Sequence, residues 1–387
     1  MEEPKRIRLD AIDVVRGVIM IVMALDHTRD FFGIPGDSPT NLATASAALF
    51  LTRWITYFCA PVFFLLTGTG AFLALARRSR SELSRFLVTR GLWLVFLELT
   101  VLRAVSYQFN VDYRVTMLLV IWALGASMIV LAALVYLPAP VVAAFGILLI
   151  AGHNLLDGAT FAGPVWSLLH APGFVLRTPE HVVFVAYPLV PWVGVTAVGY
   201  ALGQVYLWDA DRRRRFLLRL GLGLSAAFVV IRAIDRYGDP APWTTQKSAL
   251  FTALSFLSTT KYPPSLSFLL MTLGPALVLL WAMDRRTPRA LGPALVIGRV
   301  PLFYYVLHFS LIHLVATVVC YARYGSARGM FESSDLGHYP FSAPPGWGYS
   351  LPVVYVIWAL VVLAMYPLCR WVAALKRRRS DWWLSYV

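Results

Sequence analysis

Apolar runs of about twenty residues follow one another along almost the whole chain, each closed by a short polar or proline- and glycine-rich break. A helix crosses the hydrocarbon of a bilayer in roughly that length, whereas membrane strands would show shorter segments of strict alternation. Backbone polar groups find no water in hydrocarbon, so runs of this kind must bond internally, as helices. The pattern predicts an all-α polytopic membrane protein of about ten transmembrane helices, at 10–32, 47–76, 84–107, 115–137, 139–156, 182–207, 215–235, 263–283, 300–322 and 350–374. No soluble domain fits between them. The chain reads as a single transmembrane domain over 1–387 that ends in a short basic tail, 376–387. The longest connections, 157–181, 236–262 and 323–349, are rich in proline, glycine or aromatics and are expected to hold interfacial or re-entrant pieces.

Composition agrees. Hydrophobic residues make up 59% and charged residues 14%, with a mean hydropathy of +0.67, against about 25% charged in soluble domains. The net charge of +14 does not indicate nucleic acid, because the basic residues cluster at the ends of apolar runs. One set of alternate connections holds most of them: Lys5 to Arg8, Arg77 to Arg90, Arg212 to Arg219, Arg285 to Arg299 and Lys376 to Arg379. Positive charge marks the cytoplasmic side, so both termini are expected there, as an even number of spans also requires. Membrane lipids then surround the chain. The first run contains Asp13, Arg16, Asp26 and His27 and does not read as a cleavable signal. Cys59, Cys320 and Cys369 lie inside apolar runs and offer neither a disulfide framework nor a zinc site, and no metal is expected.

The first span, LDAIDVVRGVIMIVMALDHTRDFF, is unusual for its charges. Each costs at least ~2.5 kcal/mol near mid-bilayer and therefore favours a protein interior or a wet cavity. Arg16, Met20, Met23, His27 and Asp30 step by four and three and share one helical stripe, with Asp13 close by. The stripe is expected to face the bundle. Arg16 and His27 are eleven residues, or roughly 16 Å, apart along the axis, so a long thin substrate lying on it would touch both. Asp13 and Arg16 are also spaced for a plain intrahelical ion pair. Further along, Tyr304 and His308 share a face of the ninth span and Tyr305 lies three residues before His308, whereas His313 points elsewhere and reads as structural. Lys261 and Tyr262 precede the eighth span on the outer side, placed either to bind substrate or to anchor at the interface. All seven histidines avoid the cytoplasmic connections, which places proton-transfer chemistry at mid-membrane or outside.

The D-x-x-R-G run at Asp13 followed by Asp26-His27 resembles the first conserved span of the heparan-α-glucosaminide N-acetyltransferase catalytic-domain family, in its bacterial members. YPLVPWVGVTAVGYALG at 187–203, TTKYPPSLSFLLMTLGPAL at 259–277 and GRVPLFYYVLHFSLIHL at 298–314 continue the resemblance in order along the chain. A more distant similarity is to the acyltransferase-three family, which also opens on an Arg-containing span ending in His. The resemblance implies a multi-pass enzyme of a bacterial inner (plasma) membrane. Such an enzyme takes an acetyl or other acyl group from cytoplasmic acyl-CoA to an amine or hydroxyl of a sugar on the far side, and it is compatible with a homo-oligomer. The lysosomal enzyme carries its essential histidine in the loop after this span; here residues 33–46 hold none. With the stripe, the resemblance implies His27 as general base with Asp26 or Asp30 orienting it, and His308 as a second catalytic candidate. Arg16, Asp13, Lys261, Tyr262, Tyr304 and Tyr305 are then substrate-binding residues, and Arg16 and Arg299 face the phosphates of acetyl-CoA. Two other functions fit the same residues. In a proton-coupled transporter Asp13, Asp26, His27 and His308 form a relay, and in a non-catalytic membrane partner the polar groups merely pin helices together.

Overall fold

A computed structural model describes residues 10–36, 38–159, 161, 163–285, 288–333, 335–379, 381 and 384. Helices come in the order α1 (Asp10–Phe32), α2 (Ala47–Thr56), α3 (Cys59–Ala74), α4 (Arg80–Leu97), α5 (Val120–Leu134), α6 (Ala139–Gly152), α7 (Pro164–Leu169), α8 (Leu189–Leu202), α9 (Ala210–Ile234), α10 (Ala249–Leu257), α11 (Leu266–Arg285), α12 (Gly292–Gly298), α13 (Pro301–Tyr324) and α14 (Leu351–Arg378). Among the described residues, seven helical stretches are long and apolar enough to cross a membrane: Ala47–Ala74, Ala139–Leu156, Leu189–Leu207, Ala210–Ile234, Leu266–Arg285, Pro301–Tyr324 and Leu351–Arg378. Their outward faces carry exposed Leu222, Val229, Leu360, Leu363 and Trp371, which suits lipid and would be a liability in water. The protein is an integral membrane protein.

The remaining three expected spans differ from those seven in instructive ways. α1 is 23 residues long, long enough to cross, but its charges set it apart. α4 runs on into a π-helix, Glu98–Tyr107. The expected span 115–137 is in fact a strand and a helix: β1 (Val115–Leu118) precedes α5, which has only 15 residues. Likewise the expected span 182–207 opens as a strand, β3 (Val182–Val185), before α8. β1 pairs in parallel with β3 from Val115↔Val182 to Leu118↔Val185, and β2 (Gly173–Arg177) pairs antiparallel to β3 on its other side. In runs this short, periodicity alone does not separate a strand from a buried turn of helix. At the other end of the chain α14 continues to Arg378, so the basic run from Lys376 begins as the last turn of a helix.

α1 lies inside the bundle, packed against α2, α3, α11, α12, α13 and α14. Met20 and Met23 of its stripe are buried, so the charged span is shielded by protein as the spacing predicts. Its contact with α12 is closest of all. A Cβ on Gly17 would fall 1.7 Å from the Ala294 carbonyl oxygen, and one on Gly298 would fall 1.7 Å from that of Asp13. Only glycine allows the two backbones to meet there. The approach brings the Gly298 carbonyl to 3.3 Å from Arg16 Nη1. Beyond this centre α3 packs on α8, α8 on α6 and α5, α5 on α4, and α9 on α11.

Candidate active site

The charged residues of α1 fall into two groups at its opposite ends. At the Asp10 end Arg16 Nη1 is 3.1 Å from Asp13 Oδ1, and Arg299 reaches Asp10 at 3.1 Å and Asp13 at 3.9 Å. Asp13 is thus an ion-pairing residue between two arginines. Arg16 and Arg299 also line a cavity of about 340 Å³ together with Arg90 and Lys376. The cavity has apolar walls from Met20, Phe63, Leu66 and Leu87, and Tyr305 lines it as well.

At the Phe32 end, Asp26 is buried and gripped by Arg53 at 2.7 Å and Arg29 at 2.8 Å. It does not orient His27. Neighbouring residues on a helix point about 100° apart, so Asp26 faces α2 while His27 faces α13. Asp30, one turn on, shares the histidine's face, and its Oδ2 lies 3.8 Å from His27 Nδ1. Arg29 joins the carboxylates, holding Asp30 at 2.7 Å. The His27 side chain is 18% exposed. Its ring centre is 4.4 Å from Phe309, 5.4 Å from His308 and 6.4 Å from Tyr305.

α13 supplies the second histidine. His308 is fully buried, and its Nδ1 lies 2.8 Å from the Tyr304 carbonyl, to which it donates. The neutral ring then carries its free lone pair on Nε2, which has no hydrogen-bond partner among the described residues; the same holds for His27 Nδ1. The two imidazoles are in near contact, with His27 Nδ1 facing the Asp30 carboxylate at 3.8 Å. Tyr304 stacks on His308 with ring centres 5.0 Å apart; it supports the ring and is not among the residues that line the cavity. Tyr305 does line it, and its hydroxyl is 2.9 Å from that of Tyr107. Tyr107 closes the π-helix, whose Glu98 accepts from the Ile121 and Trp122 amides at 3.0 Å each, at the start of α5. His313 is structural: its nitrogens meet the Ser106 and Met330 carbonyls at 2.9 and 2.7 Å and its ring stacks on Phe109.

A model of the family described as heparan-alpha-glucosaminide N-acetyltransferase, catalytic, matches residues 8–232, more than half of the chain. The protein belongs to the heparan-alpha-glucosaminide N-acetyltransferase catalytic family. No curated protein matches the chain significantly. Family membership brings membership of a class of membrane acetyltransferases. The matched stretch contains α1, Arg53, Tyr107 and the 187–203 motif. It stops before Lys261, Arg299 and α13, of which Arg299 and α13 meet α1 directly.

Two further cavities open at the Phe32 end. One of about 660 Å³ is lined by Arg29, Asp30, His338 and Tyr339. The other, about 520 Å³, is lined by Arg29, Arg53, Tyr57, Lys261 and Tyr262. The Lys261 ammonium sits 5.1 Å from the Tyr262 ring centre and 5.8 Å from that of Tyr57. Lys261 and Tyr262 therefore stand beside the Asp26 ion pair, not against the histidines. Arg53, Tyr107 and Phe309 escaped the sequence reading, which had Arg90 and Lys376 only as members of the basic clusters. Arg53 alone had a signal, as a charge isolated in an apolar run; the others are ordinary span-end or core residues until the fold assembles them.

Proposed function

We propose that this family member is a transmembrane acyltransferase that takes an acetyl group from acetyl-CoA on the Asp10 side and gives it to an amine or hydroxyl of a sugar on the Phe32 side. The Asp10 side is the cytoplasm, in keeping with the positive charge gathered there. One observation carries the reading. The basic cavity at the Asp10 end is lined in part by Tyr305, whose ring centre is 6.4 Å from that of His27, while Asp30 beside the same histidine lines the large cavity at the Phe32 end. In this reading His27, which itself lines neither cavity, joins the donor side through Tyr305 and the acceptor side through Asp30.

Arg16, Arg90, Arg299 and Lys376 suit the phosphates of CoA, which arginine engages in forked hydrogen bonds. The apolar walls suit the pantetheine arm, and the roughly 16 Å from Arg16 to His27 is spanned by that arm. The acceptor enters from the Phe32 side. Its nitrogen or oxygen attacks the thioester carbonyl while His27 takes its proton, and the C–S bond breaks to release CoA as thiolate. The proton on His27 then returns to the thiolate or to water. Asp30 stabilises the imidazolium formed in between. His308 keeps a fixed tautomer behind it.

The test is to incubate purified protein with labelled acetyl-CoA and an envelope glycan extract, and to follow thiol release and acetylated glycan by mass spectrometry. Acetyl transfer that depends on the protein supports the reading. Hydrolysis without an acetylated acceptor, or ion flux in proteoliposomes with no thiol release, overturns it in favour of a transporter.

A further inference from the structure

His153, Asp157 and His170 come together at the far end of α6, away from the residues used above. His153 begins the 3-10 turn that closes α6, Asp157 follows that turn, and His170 follows α7. One ligand atom from each lies within 4.8 Å of the others. His170 Nε2 is 3.2 Å from Asp157 Oδ1. His153 and His170 are only 2% and 3% exposed. Yet both ring nitrogens of His153 and Nδ1 of His170 lack a hydrogen-bond partner among the described residues. The Pro264 carbonyl interacts with the His153 ring but meets neither nitrogen in full hydrogen-bond geometry. A buried imidazole with both nitrogens idle is costly, and such groups are rare unless something binds them.

The carboxylate is held in place from behind. Asn154 Nδ2 donates to Asp157 Oδ2 at 2.7 Å, leaving Oδ1 for the histidines, and Asn154 Oδ1 accepts from the Leu266 amide at 2.9 Å. This is how metal-binding carboxylates are commonly oriented. We infer that His153, Asp157 and His170 bind a divalent zinc ion that clips His170, at the end of α7, onto the turn that closes α6.

Two imidazoles and one carboxylate are a borderline-soft set, which suits zinc and disfavours magnesium or calcium. Zinc bonds of ~2.1 Å at tetrahedral angles place ligand atoms about 3.4 Å apart, so the cluster closes with shifts of about an ångström. The Asp157 side chain is 19% exposed, which leaves the fourth position to water. The same turn meets the start of α11 through Asn154, just beyond Lys261 and Tyr262, which line a cavity at the Phe32 end of α1. The inference does not depend on acetyl transfer, and its test uses no activity.

Untagged full-length protein in detergent is equilibrated with excess zinc chloride, passed through gel filtration and assayed for metal by mass spectrometry. About one zinc per chain is expected, with a rise in thermal stability that magnesium does not give. His153→Ala, His170→Ala and the milder Asp157→Asn should each lose the bound zinc and the thermal response. Asn154→Ala should weaken zinc binding by about 10–100-fold through the carboxylate it orients. His181→Ala and His338→Ala should retain the zinc. Well-folded wild-type protein with little zinc overturns the inference. So does Asp157→Asn or His170→Ala holding as much zinc as wild type, or a clear preference for ferrous iron over zinc in direct competition.

Discussion

His27→Gln is the sharpest perturbation of the proposed transfer, because the structure separates its chemical cost from its folding cost. The His27 ring is partly exposed and its Nδ1 has no hydrogen-bond partner among the described residues. Glutamine keeps most of the contact with Phe309, so stability should fall by about 1 kcal/mol or less. Loss of a general base typically lowers the rate by ~10²–10⁴-fold, equivalent to roughly 2.7–5.4 kcal/mol of transition-state stabilisation. The basic residues around Arg16 are roughly 16 Å away along α1, so the KM for acetyl-CoA should hardly move. The assay is the initial rate of thiol release in detergent with acceptor present, beside CoA-induced thermal shifts of the same sample. Two neighbouring histidines calibrate it. His313→Ala removes a buried ring set between two carbonyls and stacked on Phe109; it should cost about 2–5 kcal/mol in stability but leave transfer by the folded fraction intact. His308→Gln disturbs a fully buried ring bonded to the Tyr304 carbonyl and should lower both stability and rate. A His27→Gln rate within about threefold of wild type, with His308→Gln inactive, would refute the assignment and move the base deeper into the bundle.

Three other outcomes follow from the same geometry. CoA should raise the melting temperature, by the equivalent of about 2.7 kcal/mol at a hundred times its Kd, and the Arg90→Ala/Lys376→Ala pair should remove most of that response; an unchanged shift in the double variant would detach the basic cavity from the donor. Arg53→Leu takes from the buried Asp26 one of its two ion-pairing arginines among the described residues and should destabilise the fold by about 3 kcal/mol, with Asp26→Leu added to it restoring much of the loss; thermal unfolding of the single and double variants checks the sign. A cysteine placed at Gly346 should react with an impermeant reagent from outside and one at Arg213 only from inside; the reverse pattern would invert the donor and acceptor sides.

The sequence by itself determined that the chain lives in a membrane, since no other solvent accepts so many long apolar runs of helix length. It also placed α1 inside the bundle: charges and methionines spaced by three and four must share a face, and charge avoids lipid. His27, Arg16 and the pairing of Asp13 with Arg16 were legible for the same local reason. The strands β1 and β3 were not, because four mostly apolar residues look alike in a strand and in a turn of helix, and only their pairing across 67 positions of chain from Val115 to Val182 decides. Nor did the sequence reveal which carboxylate serves His27; the 100° step between adjacent helical residues gives Asp26 to Arg53 and leaves Asp30 to the histidine. The meeting of His27 with His308, the gathering of Arg90 and Lys376 around Arg16 and Arg299, and the cluster of His153, Asp157 and His170 all join residues distant in sequence. Local pattern carries no information on such contacts. They follow from which helices pack together, and that was decided by close approaches such as Gly17 on α12 and by the burial of α1 at the centre of the bundle.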